Sequence, residues 1–374
     1  MTRLVLAGGG HAHLAVLEKL AARPRPDLEV VLISPSRRQH YSGMVPGWMA
    51  GHYQREQFGI DLQPLMLQAR VTFIEQPLAG IDAAHKAVCL PTGERIAYDL
   101  LSLDVGGETD TSWLGALGHR LLPIKPLAEF THRWQQLTHT DYWHDSPQLA
   151  VVGGGAAGVE LALAAQQRLQ RIDRSAQVTL IAGDAGIVAD FPQRIRQRAE
   201  RALQRTGVRV FNQRAVGVDQ GLLLSDGTPL SSHHVIAATG TRPHPWLALT
   251  GLQLDRDGQV AVDRCHRSLS HPEVFAVGDG CGRHDIVLAR SGVNAVRVGP
   301  LLANNLLAVI DGRPLRPYLP RQRTLYLLSC GDRYAIASWG RFSAEGHWVW
   351  RWKDAIDRRF IRRFARTIAP AAPG

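Results

Sequence analysis

Two glycine-rich breaks, about 145 residues apart, constrain this chain more than anything else in it. The second reads Leu149-Ala-Val-Val-Gly-Gly-Gly-Ala-Ala-Gly-Val-Glu160: an apolar strand, a turn and the start of a helix. Gly153, Gly155 and Gly158 complete the G-x-G-x-x-G spacing. The first glycine makes the tight turn, the second lets the backbone approach a diphosphate, and the third lets helix and strand pack closely. The diphosphate then meets the free N–H groups and the positive dipole end of the helix. The first break, Arg3-Leu-Val-Leu-Ala-Gly-Gly-Gly-His-Ala-His13, places Gly8 and Gly10 in the same way, with His13 at the third glycine position. Each break predicts a strand, a turn and a helix of a parallel α/β unit able to bind a dinucleotide.

The 374 residues, 45% of them hydrophobic, suffice for large cores in two or three domains. No uninterrupted apolar run reaches the 18 or so residues of a membrane span, and the N-terminal apolar run meets glycine too soon for a signal peptide. A cytoplasmic location is the default expectation. Cys89, Cys265, Cys281 and Cys330 show no C-x-x-C or metal-ligand spacing, so reduced thiols are expected, with no metal and no disulfide framework. The formal charge of +10 is concentrated: residues 313–366 hold 13 basic and 4 acidic side chains. With no recognised nucleic-acid module present, that excess points to a specialised C-terminal surface.

Between the breaks, residues 29–33 read as a second strand, with Ser34 where an acid ordinarily holds the ribose hydroxyls. A hydroxyl can also donate and accept there. Residues 37–48, rich in glycine and aromatics, read as a cofactor-lining loop or a plain surface loop. Residues 71–74, 85–90 and 96–103 read as strands, the last two joined at Pro91-Thr92-Gly93 and ending at Gly106-Gly107. A Pro-containing stretch to Pro147, with one helix at 126–137, reads as a domain crossing. After the second break come a strand at 177–181, with Asp184 a candidate ribose contact, a helix at 192–206 and a strand at 208–211. No arginine directly follows the 177–181 strand, which favours NADH over NADPH. A hairpin turns at Asp226-Gly227, and a strand at 235–238 stops at Thr239-Gly240. Residues 274–277 then run into Gly278-Asp279, a carboxylate at the C-terminal end of a strand, where ligands of open parallel sheets lie.

Two fingerprints, an Ala-Thr-Gly strand end at 238–240 and Val-Phe-Ala-Val-Gly-Asp at 274–279 resemble the pyridine nucleotide-disulfide oxidoreductase superfamily over nearly the whole chain. The resemblance implies an α/β fold of two nested Rossmann-like dinucleotide-binding domains of the three-layer ββα type, plus a C-terminal α+β interface region. FAD would bind a discontinuous domain of residues 1–110 and 236–312, NAD(P)H an inserted domain of 111–235, and 313–374 would form the basic interface. Carried over, Gly8, Gly10, Ser34, Arg38 and Asp279 belong to FAD, and Gly153, Gly155, Gly158 and Glu160 to the nicotinamide nucleotide. Gly9, His11, Ala12, Pro46, Gly106, Ala156, Ala157, Gly240, Gly278 and Val293 complete the cofactor-binding candidates.

Disulfide reductases of this superfamily carry two cysteines on an early helix beside the flavin, and residues 40–53 contain none. Electrons would then leave the flavin directly, as in type II NADH dehydrogenases and sulfide:quinone oxidoreductases. Leu-Ile-Ser at 32–34 with Tyr-Ser-Gly-Met-Val-Pro-Gly at 41–47 is similar to the sulfide group. Closer still is the flavoprotein module fused ahead of selenide, water dikinase, through Gly-Gly-Gly-His-Ala-His-Leu, Gln-His-Tyr-Ser-Gly-Met-Val-Pro-Gly and Trp-Lys-Asp-Ala-Ile-Asp-Arg-Arg-Phe. Type II dehydrogenases show paired glutamines on the helix after Gly-Asp, where this chain has Val293 and Arg297.

Glu160 lies where a carboxylate can contact nicotinamide ribose or relay a proton; the alternative is a helix N-terminal acid favoured by the dipole. His11 sits in the first helical turn beside the expected diphosphate. His13 reads as a structural imidazole with its hydrogen bonds met, and Cys281 as either a thiol near the flavin or a buried inert one. At the C terminus Trp352, Ile356, Phe360, Phe364 and Ile368 form one apolar helical stripe flanked by arginines. Residues 348–374 therefore suit an anionic membrane surface on its inner face, or packing on the chain's own domain or on a second subunit in a homodimer. The expected function is an FAD-dependent NAD(P)H oxidoreductase passing electrons to a quinone-like acceptor. A flavoprotein oxidising sulfur or selenium compounds through Cys281, and a non-catalytic FAD/NAD-binding redox module, are the alternatives.

Overall fold

The computed structural model describes residues 1–139, 143, 146–288, 292–321 and 323–365. Its α-helices are α1 (His11–Ala22), α2 (Val45–Met49), α3 (Gln63–Ala69), α4 (Leu127–Leu137), α5 (Ala156–Leu169), α6 (Gln193–Thr206), α7 (Gly292–Ile310) and α8 (His347–Ala365).

The opening strand, Thr2–Ala7, is the centre of a five-stranded parallel sheet ordered Val274–Ala276, Leu100–Leu103, Thr2–Ala7, Leu28–Ser34, Thr72–Glu75. Such a strand is covered on both faces, which is why it reads as a continuous apolar run. Leu4, Leu6 and Leu32 pack against α1, α3 and α7, while Val5, Ala7 and Ile33 meet Ile81, Val88 and Ile96 of a small antiparallel sheet on the other face. A second parallel sheet repeats the plan in the order Leu121–Pro123, His234–Ala237, Gln148–Val152, Gln177–Ile181, Arg209–Phe211. Leu149 and Val151 pack toward α5 and α6; Ala150 and Val152 pack toward the antiparallel strands Ala215–Val218 and Gly221–Leu224. All five strands of the second sheet fall in sequence between two neighbouring strands of the first, Leu100–Leu103 and Val274–Ala276. The fold is therefore α/β, with two nested three-layer units of the Rossmann type.

After α7, strands Leu325–Ser329, Ala335–Trp339 and Phe342–Gly346 form an antiparallel sheet that runs directly into α8. That helix packs on both nucleotide units: Phe364 lies in the first core and Trp350 against the second. Tyr53 Oη donates to Asp354 at 2.7 Å, and Arg363 Nε donates to Glu18 at 2.7 Å.

Some local expectations change. Residues 96–103 are two strands in different sheets, Arg95–Ala97 and Leu100–Leu103. The chain crosses between layers at Tyr98-Asp99, and Asp99 both accepts from and donates to the backbone of Arg3. The edge strands Gly80–Asp82 and Ala215–Val218 escape sequence reading, being only 3 and 4 residues long. Helix α7 has a mean hydropathy of 1.4 over 18 residues, long and apolar enough to cross a membrane. It packs on α1 instead, with Gly299 so close that a Cβ there would lie 2.9 Å from the Ala12 carbonyl oxygen. The expected apolar stripe of α8 is divided, Phe360 and Phe364 packing into the first core while Trp352 and Ile356 stay exposed. Its last member, Ile368, lies outside the described residues.

Candidate active site

Parallel register brings the chemistry to one edge. Ala7 pairs with Leu103, which pairs with Ala276, so Gly8, Asp104 and the Gly278-Asp279 turn emerge side by side at the C-terminal ends of adjacent strands. Gly8 has φ +97°, and a Cβ there would fall 2.3 Å from the Asp104 carbonyl oxygen, so only glycine fits. In the second unit a Cβ on Gly158 would lie 1.8 Å from the Gly153 carbonyl oxygen, which is the close helix-to-turn packing the motif demands. Gly106, Gly155 and Gly240 face open space at their missing Cβ positions.

His13 explains how the first turn manages without its third glycine. The imidazole is fully buried, with Nδ1 2.6 Å from the Gly8 carbonyl and Nε2 2.8 Å from Ser102 Oγ. A carbonyl only accepts, so Nδ1 carries the proton and Nε2 accepts from the serine. Burial lowers its pKa to about 4, against the pull of the Gly8 carbonyl, which keeps the ring neutral.

Around the first turn, Ser34 is buried and donates to the Ser36 carbonyl at 3.0 Å, beside Gly9. Arg38 is exposed on the short strand Arg38–His40, Pro46 is buried in α2, and Val293 is partly exposed in the first turn of α7. Asp279 forms an ion pair with Lys125, whose Nζ also donates to Thr241 Oγ1 at 2.9 Å. The ring of His11 lies 5.7 Å from that of Tyr41, and its Nε2 is buried without a partner. Burial lowers its pKa to about 4, Asp279 opposing and Lys125 reinforcing the shift. An orphaned buried nitrogen and an ion-paired carboxylate near the N-terminus of α1, with open space at Gly106, fit a dinucleotide that needs polar partners along its length.

Glu160 lies four residues into α5, behind Ala156 and Ala157 at the helix start, and faces the C-terminal sheet. Its Oε1 accepts the Ser329 N–H at 2.7 Å. Burial pushes its pKa up to about 7, with nearby Lys353 pulling the other way. Lys353, on α8, donates to Asp357 Oδ2 and to the Gly43 carbonyl, each at 2.6 Å. The Tyr41 hydroxyl bonds the same Asp357, whose pKa burial also raises. Glu160, Lys353, Asp357 and Tyr41 thus form one enclosed polar cluster between the two nucleotide turns, with His11 beside it.

Of the sequence candidates, Asp184 stands apart. Its carboxylate is exposed and held by Arg214 at 2.8 Å, and the residue directly after the strand is Ala182. Cys281 Sγ lies 3.6 Å from the Gly278 carbonyl and 3.8 Å from His266 Nδ1. Burial, with Asp104 and Asp279 adding to it, pushes its pKa far up, so it remains a thiol. All four cysteines are free. Asp104, Lys125, Lys353 and Asp357 escape sequence reading. The signal for Asp104 was a carboxylate just past an apolar strand, as at Asp279; for the α8 pair it was an i, i+4 Lys–Asp spacing inside an apolar stripe.

The model of the pyridine nucleotide-disulphide oxidoreductase family matches residues 2–299. The NADH dehydrogenase-like protein YutJ of Bacillus subtilis is 24% identical over 295 residues, covering 75% of this chain and 76% of its own length. The demethylphylloquinone reductase NdbB of Synechocystis is 24% identical over 331 residues, covering 84% and 81%. The sulfide:quinone oxidoreductase of Aquifex aeolicus superposes with a TM-score of 0.79 at 19% identity, over 99% of this chain and 93% of that one. With two nested nucleotide units, both glycine turns and a family match across most of its length, this chain belongs to the pyridine nucleotide-disulphide oxidoreductase family.

Proposed function

We propose that the protein is an FAD-dependent NAD(P)H dehydrogenase that passes electrons to a quinone-like acceptor without a redox disulfide. FAD would lie on the Gly8–Gly10 turn and NAD(P)H on the Gly153–Gly158 turn. The observation that carries the reading is the enclosed cluster of Glu160, Lys353, Asp357 and Tyr41 between those turns, with no cysteine pair beside it. Bound FAD supplies the two-electron relay between nicotinamide and acceptor. The chain's share is placement, exclusion of water and proton handling. Glu160, with a pKa near 7, can both hold and release a proton at neutral pH, and Lys353 with Asp357 sets the charge around it. The names of YutJ and NdbB supply the donor and acceptor classes. Val293 and Arg297 mean that quinone contacts differ from the paired glutamines of type II dehydrogenases.

The α8 surface supports a membrane-peripheral placement on the inner face. Trp348, Trp352 and Ile356 are 53%, 39% and 40% exposed at i, i+4 spacing, and exposed Arg351, Arg359 and Arg362 flank them. Exposed tryptophan beside arginine suits an anionic interface. Anaerobic mixing of the purified protein with NADH or NADPH should bleach the flavin, and a quinone should restore the colour. No bleaching by either nucleotide overturns the proposal, and bleaching by sulfide or selenide that Cys281→Ser abolishes replaces it with sulfur or selenium chemistry. Liposome sedimentation tests the surface: Trp348→Ser with Trp352→Ser should reduce binding to anionic vesicles. Equal partitioning, or a concentration-dependent dimer lost in that variant, assigns the face to another role.

A further inference from the structure

The N-terminus of α1, where the FAD diphosphate belongs, already holds a carboxylate of the protein itself. Asp104 directly follows the strand Leu100–Leu103 and is 4% exposed. Its Oδ2 accepts the N–H groups of Ala12 at 2.8 Å and His13 at 3.1 Å. The turn is packed on it, since a Cβ on Gly10 would lie 2.2 Å from Asp104 Cγ. Oδ1 faces the gap between Gly10 and Gly278, 3.0 Å from where a Gly278 Cβ would stand.

Few cations are near enough to compensate. Asp279 follows Gly278 and keeps Lys125 for itself. His11 and His13 are neutral, the latter with both ring nitrogens committed, and Cys281 is a protonated thiol. A diphosphate brings about two further negative charges to a helix end whose dipole offers about half a positive one, and two of whose N–H groups are taken. Anions sharing an enclosed site cannot all stay ionised.

We propose that Asp104 is the carboxyl that yields: FAD binding takes up one proton, which resides on Asp104 Oδ1 while Oδ2 keeps the Ala12 and His13 N–H groups. The balance is simple, because a carboxylate, a solvent proton and FAD become a carboxylic acid and bound FAD, and no electron moves. The proposal rests on FAD occupying the first turn. Without the cofactor, burial above all, and Asp279 in the same direction, already push Asp104 up to about 7, the two N–H bonds opposing. Below pH 7 the proton is therefore present beforehand; above it, the proton must be drawn from solvent, and the FAD dissociation constant rises about tenfold per pH unit.

The test follows FAD release from the holoprotein on serial dilution at pH 6, 7, 8 and 9, read as free-flavin fluorescence. The wild type should hold FAD within about twofold at pH 6 and 7 and about 50-fold more weakly at pH 9 than at pH 7. Asp104→Asn, which keeps an acceptor for both N–H groups, should show no slope. As a second measurement on the wild type alone, FAD release into lightly buffered indicator dye at pH 8 should liberate about one proton per flavin. A flat wild-type profile, no proton release, or an unchanged slope in Asp104→Asn overturns the proposal. A protein that neither carries nor takes up FAD overturns the assignment of the turn instead.

Discussion

Glu160→Gln should stabilise the protein at alkaline pH while impairing its turnover. Enclosure lifts the Glu160 carboxyl from its ordinary 4.5 to about 7, despite the Ser329 N–H and nearby Lys353. A carboxyl whose folded pKa lies above the unfolded one costs nothing at pH well below 4.5. The unfolded chain then loses its proton first, so the penalty grows as pH climbs from 4.5 to 7 and is complete beyond it. The size is about 1 kcal/mol at pH 5 and about 3 kcal/mol at pH 8. Glutamine has no proton to lose, and its carbonyl oxygen still accepts from Ser329. The variant should therefore gain over the wild type by an amount that rises by about 2 kcal/mol between pH 5 and pH 8. Urea unfolding of both proteins at each pH, with FAD in the same fixed excess, measures this directly, since bound ligand adds its own stabilisation. A gain independent of pH, or a variant less stable than wild type at pH 8, refutes the reasoning. Slower acceptor reduction in the same variant would mark the penalty as one retained for function.

Three further outcomes follow from packing. His13→Ala strands the Gly8 carbonyl and opens a void beneath the turn; it should cost about 2–4 kcal/mol and lower the flavin content, seen in the flavin-to-protein absorbance ratio. Gly158→Ala forces α5 away from Gly153 and should weaken NAD(P)H binding at least about tenfold while leaving FAD content intact, measured by titrating flavin fluorescence. Lys353→Met leaves Asp357 buried without its cation and should destabilise by about 3–5 kcal/mol, with Lys353→Met/Asp357→Leu recovering most of the loss in thermal melts.

What could be read from residues alone tracks how local each signal is. Gly153, Gly155 and Gly158 announce a strand, turn and helix because the steric demand lies within one turn. The apolar run Leu4 to Ala7 announces a doubly covered strand for the same reason. The boundary at Tyr98-Asp99 was invisible, because a single aspartate between the apolar runs Ile96–Tyr98 and Leu100-Leu101 does not by itself mark a change of sheet. Asp104 gained its meaning only when the sheet set it beside Gly8 and Gly278, a neighbourhood assembled from three distant stretches. On α8, periodicity grouped Phe360 and Phe364 with Trp352 and Ile356, although the first pair faces inward and the second outward. Lys353 and Asp357 became a buried pair only through the packing of α8, which leaves them 11% and 6% side-chain exposure.

The nesting of one sheet inside another also sets an order of birth. The strand Leu100–Leu103 must wait about 170 residues for its neighbour Val274–Ala276, which at about 5–20 residues per second of synthesis is roughly 10–30 seconds. Once the strand His234–Ala237 is made, the inserted unit has every strand of its own sheet and can close, while the older one still stands with an open edge at its fourth strand, Leu100–Leu103. The first-made turn is thus the last to be finished. Asp279 arrives with the closing strand, so on the proposed assignment of the two turns a nascent chain would be ready for nicotinamide nucleotide before flavin.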